Sequence, residues 1–135
     1  MKTIKVLFFA LVALSMNISC NAQTTKNEET KVSKADKVEV YYFHYTRRCL
    51  TCNTVESVSK EAVAELYGNK VSFTEYNLDE EAGKKKGKEL NISGQTLLIV
   101  AGETKINITN EGFMNARSNP EKLKAIIKEK IDPLL

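Results

Sequence analysis

The feature that most constrains the fold lies between residues 38 and 67, where one hydrophobic pattern replaces another across a pair of cysteines. Residues 38–45, VEVYYFHY, are nearly continuous in β-branched and aromatic side chains, which suits a strand buried on both faces of a sheet. From Cys49 to Tyr67 the period changes. Val55, Val58, Ala62, Val63 and Leu66 recur at spacings of three and four, the core-facing stripe of a helix. Gly68 is suited to end that helix. Cys49 and Cys52 therefore stand where a buried strand turns into a helix.

The remainder continues the alternation. Residues 71–78, VSFTEYNL, read as a second strand. Asp79 can cap a short helix with Glu80 and Glu81 in its first turn and lysines later, an order that matches the helix dipole. Gly83 and Gly87 weaken that helix and leave its length open. TLLIV at 96–100 and TKINIT at 104–109 are strands joined through Ala101-Gly102-Glu103 as a hairpin. Asn119 caps and Pro120 starts a last helix, lined by Leu123, Ile126, Ile127 and Ile131 and ended by Pro133. The order is β-α-β-α-β-β-α. A parallel crossover followed by an antiparallel hairpin predicts an α/β fold: a four-stranded mixed sheet covered by three helices.

The length of 135 residues supports one small domain, expected at 37–135. Before it, Lys2 and Lys5 form a positive region, Val6 to Met16 a short apolar one, and a small-residue segment follows. An apolar run of 11 residues is shorter than the ~20 needed to span a membrane, so residues 1–22 are expected to be a processed signal peptide. Cleavage after Ala22 gives a soluble product. Cleavage after Ser19 leaves Cys20 as a lipidated N-terminus and a membrane tether, because NISC resembles a bacterial lipobox with Asn17 in place of the usual leucine. Either route predicts an exported protein of the periplasm or cell envelope, where disulfides persist. Residues 23–36 are polar, lack aromatics and read as a disordered linker. Removal of Lys2 and Lys5 lowers the formal net charge from +3 to +1, and no basic stripe interleaved with aromatics is present, so nucleic acid is not an expected partner. The lysines at 84–88 and 122–130 read as solvated helix faces, and a monomer is expected.

Processing removes Cys20 from the fold, which leaves Cys49 and Cys52 to each other. A purely structural staple is weak here, since so small a ring contributes roughly 2 kcal/mol against about 3 for a fifteen-residue loop. A closed zinc site wants four ligands, and the domain offers two thiols and His44. A c-type haem would need histidine after Cys52, where Asn53 stands. The dithiol alone could hold copper(I) or a thiophilic metalloid, so a non-enzymatic binding module through Cys49 and Cys52 is the main alternative. Redox exchange accounts best for the placement. A helix N-terminus favours thiolate over thiol, and Arg47 and Arg48 add positive charge beside it. Cys49 is then the nucleophile and Cys52, one turn inward, the resolving thiol. No bound cofactor is needed, because the cysteines carry both electrons.

On VEVYYFHYTRRCLTC with its helix, EYNLDEE, NISGQTLLIV, the hairpin and the terminal helix, the chain resembles a thioredoxin-superfamily domain over residues 37–135. The resemblance implies a thioredoxin-like three-layer α/β/α sandwich, an exposed Cys49, a partly buried Cys52 and partners that are protein thiols or disulfides. More narrowly, the chain is similar to small exported thioredoxin-like proteins of anaerobic gut-type bacteria. Some of these are described as the ArsF-type nitrophenyl compound nitroreductase subunit family, so a redox subunit of a reductase complex is a third reading. Three positions depart from the superfamily pattern. Many members carry a cis-proline before the third strand that contacts substrate backbone. Here Gln95 stands there, with Thr96 after it, and both are taken as substrate-facing. A non-proline cis bond costs about 2.5–4 kcal/mol, so Gln95 is expected in trans, and the proline's loss favours metal capture. The buried acid that takes the resolving thiol's proton is replaced by Phe43, and Glu75 is proposed to supply the carboxylate if it points inward. Arg48 replaces an aromatic before the first cysteine, giving a positive lip for an acidic partner. His44 either titrates near the dithiol or is a hydrogen-bonded core residue. Tyr41, Tyr42 and Tyr45 read as packing.

Overall fold

The computed structural model describes residues 37–135. The expected signal segment 1–22, with Cys20, and the expected linker 23–36 lie outside the described residues. The elements are β1 (Val38–His44), α1 (Leu50–Tyr67), β2 (Val71–Asn77), α2 (Glu81–Leu90), β3 (Thr96–Ala101), β4 (Thr104–Asn107), α3 (Thr109–Asn115) and α4 (Pro120–Ile131), with 3₁₀ turns at Gly68–Lys70 and Asp132–Leu134. The four strands form one sheet in the order β2-β1-β3-β4. β1 pairs with β2 in parallel, Val38 opposite Val71, and with β3 in antiparallel, Val40 opposite Ile99.

Alternate residues of the two central strands feed two cores, as the period of a strand dictates. Val38, Val40 and Tyr42 of β1 and Leu97, Ile99 and Ala101 of β3 face one core, which Val55, Val58, Ala62 and Val63 of α1 and Leu123, Ile127 and Ile131 of α4 complete. Tyr41, Phe43, Leu98 and Val100 face the other, closed by Leu90 at the end of α2 and by Leu78 and Ile92. Helices on both faces of the sheet make a three-layer α/β/α sandwich. β1, buried on both faces, explains the unbroken apolarity of its sequence.

Three local readings change. The strand expected at 104–109 stops at Asn107, whose side-chain oxygen accepts from the Thr109 N–H at 3.0 Å and starts α3 instead. Thr109 in turn accepts the Leu97 N–H at 2.9 Å, which fastens α3 to β3. Asp79 does not cap α2. Glu80 holds the N-cap position and the Asp79 carboxylate reaches back to the Thr46 N–H at 2.7 Å. Leu66 is exposed, and its place in the buried stripe of α1 is taken by Cys52 and Ser59 nearer the N-terminus.

α2 runs through both of its glycines because they are where it touches backbone. A Cβ at Gly83 would overlap the Asn77 carbonyl at the end of β2, and one at Gly87 would come within 3.0 Å of the Ile92 carbonyl oxygen. Close approach outweighs the propensity cost of glycine. Gly83→Ala is therefore expected to destabilise the domain by about 2 kcal/mol or more in chemical denaturation, while Lys85→Ala on the outer face of the same helix stays within about 0.5 kcal/mol.

Candidate active site

The first turn of α1 is built around sulfur. Cys49 holds the N-cap position with extended backbone (φ −87°, ψ 166°), and its Sγ accepts the Cys52 N–H at 3.2 Å. This is the bond that a serine or aspartate oxygen makes at an ordinary N-cap. No acidic side chain stands in that first turn to oppose a negative sulfur. A thiolate on Cys49 thus finds a hydrogen-bond donor and the positive end of an 18-residue helix already in place. Cys49 and Cys52 are joined as a disulfide across a Cα–Cα distance of 5.2 Å. Cys49 is exposed to solvent, whereas Cys52 is 6% exposed. An incoming disulfide can reach only the first sulfur directly.

The two arginines divide. Arg47 is exposed, and Arg48 forms an ion pair with Glu56, two turns along α1. The charge of Arg48 is met inside the domain, so the positive lip reduces to Arg47. Glu56 is a partner that the sequence reading missed; its only advance signal was its position, four residues after Cys52 on the same face.

Behind Cys52 lies a polar chain that the sequence reading also missed, because it took Tyr42 for packing. The fully buried Tyr42 hydroxyl donates to the Cys52 carbonyl at 3.0 Å and accepts from Gln95 Nε2 at 2.8 Å. Gln95 Oε1 then faces Cys52 Sγ at 3.7 Å. Burial pushes the Tyr42 phenol above its ordinary range, against the smaller opposing effects of the Gln95 bond and the Arg48 charge, so the hydroxyl keeps its proton as a donor. Among the described residues no peptide bond is cis, and Gln95 is therefore in trans. Thr96 is buried and its hydroxyl donates to the Gly94 carbonyl at 2.9 Å.

The other sequence candidates lie further out. Glu75 sits opposite Tyr42 in the parallel register, hence on the same face of the sheet, but on the edge strand and exposed. Phe43 is wholly buried in the opposite core. His44 is buried, with Nδ1 3.0 Å from the Tyr45 carbonyl oxygen. The loop that carries Tyr45 to Arg48 is pinned from the α2–β3 loop and from the end of β2 and the turn after it. The Tyr45 hydroxyl donates to the Ser93 carbonyl at 3.0 Å, Thr46 N–H to Asp79, and Asn77 Nδ2 to the Thr46 hydroxyl at 3.0 Å. A groove of about 210 Å³ opens beside Tyr45, lined by Leu78, Ile92, Ser93, Lys84 and Lys88. Among the described residues no group of three or more His, Cys, Asp or Glu side chains gathers as a metal site, and no helix is long and apolar enough to cross a membrane.

Comparison with known proteins agrees with this geometry at the level of fold. No protein-family model and no curated sequence matches the chain. Among solved structures, it is similar to thioredoxin O2 from Arabidopsis thaliana in its oxidised state, with 23% identity and a TM-score of 0.51 over 73% of this chain and 81% of that one. It is likewise similar to Trxlp from Edwardsiella tarda, with 15% identity and a TM-score of 0.51 over 71% and 84% of the two chains. The domain has a thioredoxin-like fold.

The Asp79 tether carries a pH dependence. Donation from Thr46 holds the Asp79 carboxyl below its ordinary value of 3.8. A depressed folded-state value means that the bond contributes fully above the ordinary carboxylate range and is lost as pH falls through the folded-state value. Protection of the Thr46 amide from hydrogen exchange is expected to hold from neutral pH down to that range and to fall below it. Asp79→Ala should show the reduced protection at every pH.

Proposed function

We propose that the protein is an exported thiol–disulfide oxidoreductase that exchanges disulfides with protein partners through Cys49 and Cys52. The observation that carries this reading is the N-cap role of Cys49: the exposed sulfur accepts a backbone N–H at the mouth of a helix, with its buried partner bonded behind it. Such a site stabilises an ionised sulfur at the surface and keeps the second sulfur from reacting with anything except the first.

In the reducing direction the Cys49 thiolate attacks one sulfur of a partner's cystine. A mixed disulfide forms, the partner's S–S bond breaks, and its second sulfur leaves as a thiolate that takes a proton from water. Cys52 then loses its proton and attacks Cys49 Sγ. The mixed disulfide breaks, the partner's first sulfur departs as a thiolate, and two electrons have passed to the partner while Cys49 and Cys52 become a disulfide. Every step runs in reverse when the partner is a dithiol. Leu50, beside Cys49 and 66% exposed, offers an apolar contact to an arriving chain. Lys84 and Lys88 in the neighbouring groove suit an acidic one.

Export through residues 1–22, with Cys20 either lipidated or removed with the leader, would put this chemistry in the periplasm or cell envelope, where client disulfides form. The leader pattern of the sequence supports that location.

The test is capture. Cys52→Ala is expected to abolish turnover of insulin disulfides and to accumulate partners bound to Cys49 that dithiothreitol releases. Cys49→Ser should trap none. Failure of the unaltered protein to reduce insulin, together with stoichiometric copper(I) or arsenite binding at the dithiol, would overturn the reading in favour of a metal- or metalloid-binding module.

A further inference from the structure

We infer that Gln95, its amide orientation fixed by Tyr42, accepts the Cys52 thiol hydrogen in the reduced protein and tilts the balance of the pair toward the dithiol. The inference rests on the reading of Cys49 and Cys52 as an exchanging pair and adds a determinant of where their equilibrium lies.

The single proton of the Tyr42 phenol decides the orientation of the amide. The Tyr42 oxygen is 3.0 Å from the Cys52 carbonyl oxygen, a separation that two acceptors hold only if the hydroxyl proton lies between them. That proton being committed, Tyr42 can only accept from its other neighbour, 2.8 Å away, so Gln95 must present Nε2 to it. An amide that turns its nitrogen to Tyr42 turns its oxygen to Cys52, and Oε1 stands 3.7 Å from Sγ. The reversed amide would set Oε1 against a phenol oxygen whose proton is already used. A helix carbonyl thus dictates, through Tyr42, which atom of Gln95 the sulfur meets.

In the disulfide the sulfur has no hydrogen to give, and the 3.7 Å approach is a contact only. Reduction by two glutathiones breaks the Cys49–Cys52 bond, forms glutathione disulfide, and delivers two electrons and two protons to the pair. The proton on Cys52 then has an acceptor aimed at it. No other donor among the described residues reaches Oε1. The reduced state therefore gains a hydrogen bond that the oxidised state lacks, and Tyr42 is the positioning residue for it.

Equilibration with glutathione of defined reduced-to-oxidised ratio, followed by alkylation and mass measurement, tests this. Gln95→Ala is expected to shift the equilibrium about three- to fivefold toward the disulfide, the net worth of one weak hydrogen bond, or roughly 15–20 mV for a two-electron couple. Tyr42→Phe should shift it in the same direction by less, and should add nothing in the Gln95→Ala background. An unchanged equilibrium in Gln95→Ala, a shift toward the dithiol, or additive effects of the two substitutions would overturn the inference. Because Tyr42 is wholly buried, a measurement on the unaltered reduced protein stands beside the variants. Nuclear Overhauser contacts from the Gln95 Nε2 hydrogens to the Tyr42 ring are expected, and contacts to the Cys52 β-hydrogens in their place would overturn it. Both measurements read the equilibrium and the amide rather than turnover. Loss of insulin reduction alone counts against the function and not against this result.

Discussion

A sulfur atom as the N-cap of α1 is the interaction on which the rest of the site depends. The Cys52 N–H to Cys49 Sγ bond is local to one turn, but it means something only because α1 is fixed to the sheet. Val55, Val58, Ala62 and Val63 hold the helix against β1 and β3, and α4 packs into the same core beside it. The axis of α1 and the aim of its unpaired N–H groups follow from that burial. The setting of Cys49 is thus a property of the whole hydrophobic core, expressed at its rim, and the buried position of Cys52 is the same constraint seen one turn later.

The polar chemistry beneath the dithiol is organised from the carbonyl side. Phe43, at the position where the sequence resemblance implied an acid, seals the other core, and the groups that reach the Cys52 region are a neutral phenol and a neutral amide. Neither can hold a full charge near neutral pH, and both are directional. Charge is instead handled to one side, where Glu56 meets the half-buried Arg48 and leaves Arg47 to solvent. The site therefore separates orientation, done by buried neutral groups, from electrostatics, done by the helix terminus.

Much of this was legible in the sequence because two periodicities and a pair of cysteines sufficed. The continuous run of β1 and the stripe of α1 fixed the strand-to-helix junction, and the parallel-then-antiparallel order of the strands followed from what could connect them. α3 was hidden because TNEGFMN has neither length nor an apolar period. What makes it a helix is the Asn107–Thr109 turn and its bond to Leu97, a contact between residues far apart in the chain. Asp79 looked like a cap because it precedes a lysine-rich helix, and only the packing of two loops reveals Thr46 as its partner. Tyr42 was indistinguishable from its neighbours in a strand buried on both faces. The direction in which a hydroxyl points is not encoded by hydrophobic pattern. The distribution of local and distant signals is what the physics predicts: elements come from short-range pattern, and hydrogen-bond partners come from topology.

The outer strands have a consequence for how these molecules behave in company. Among the described residues β2 and β4 are the two borders of the sheet, and a border strand is where pairing with another chain starts ordered aggregation. One border, β4, is four residues long and carries the exposed Lys105. The other, β2, is seven residues long and sets the exposed Glu75 in its middle stretch. A second copy adding its own β2 in register would bring two carboxylates side by side in a setting that strips their water. An exposed carboxylate in the middle of an edge strand disfavours such pairing, and Glu75 stands at that place in β2.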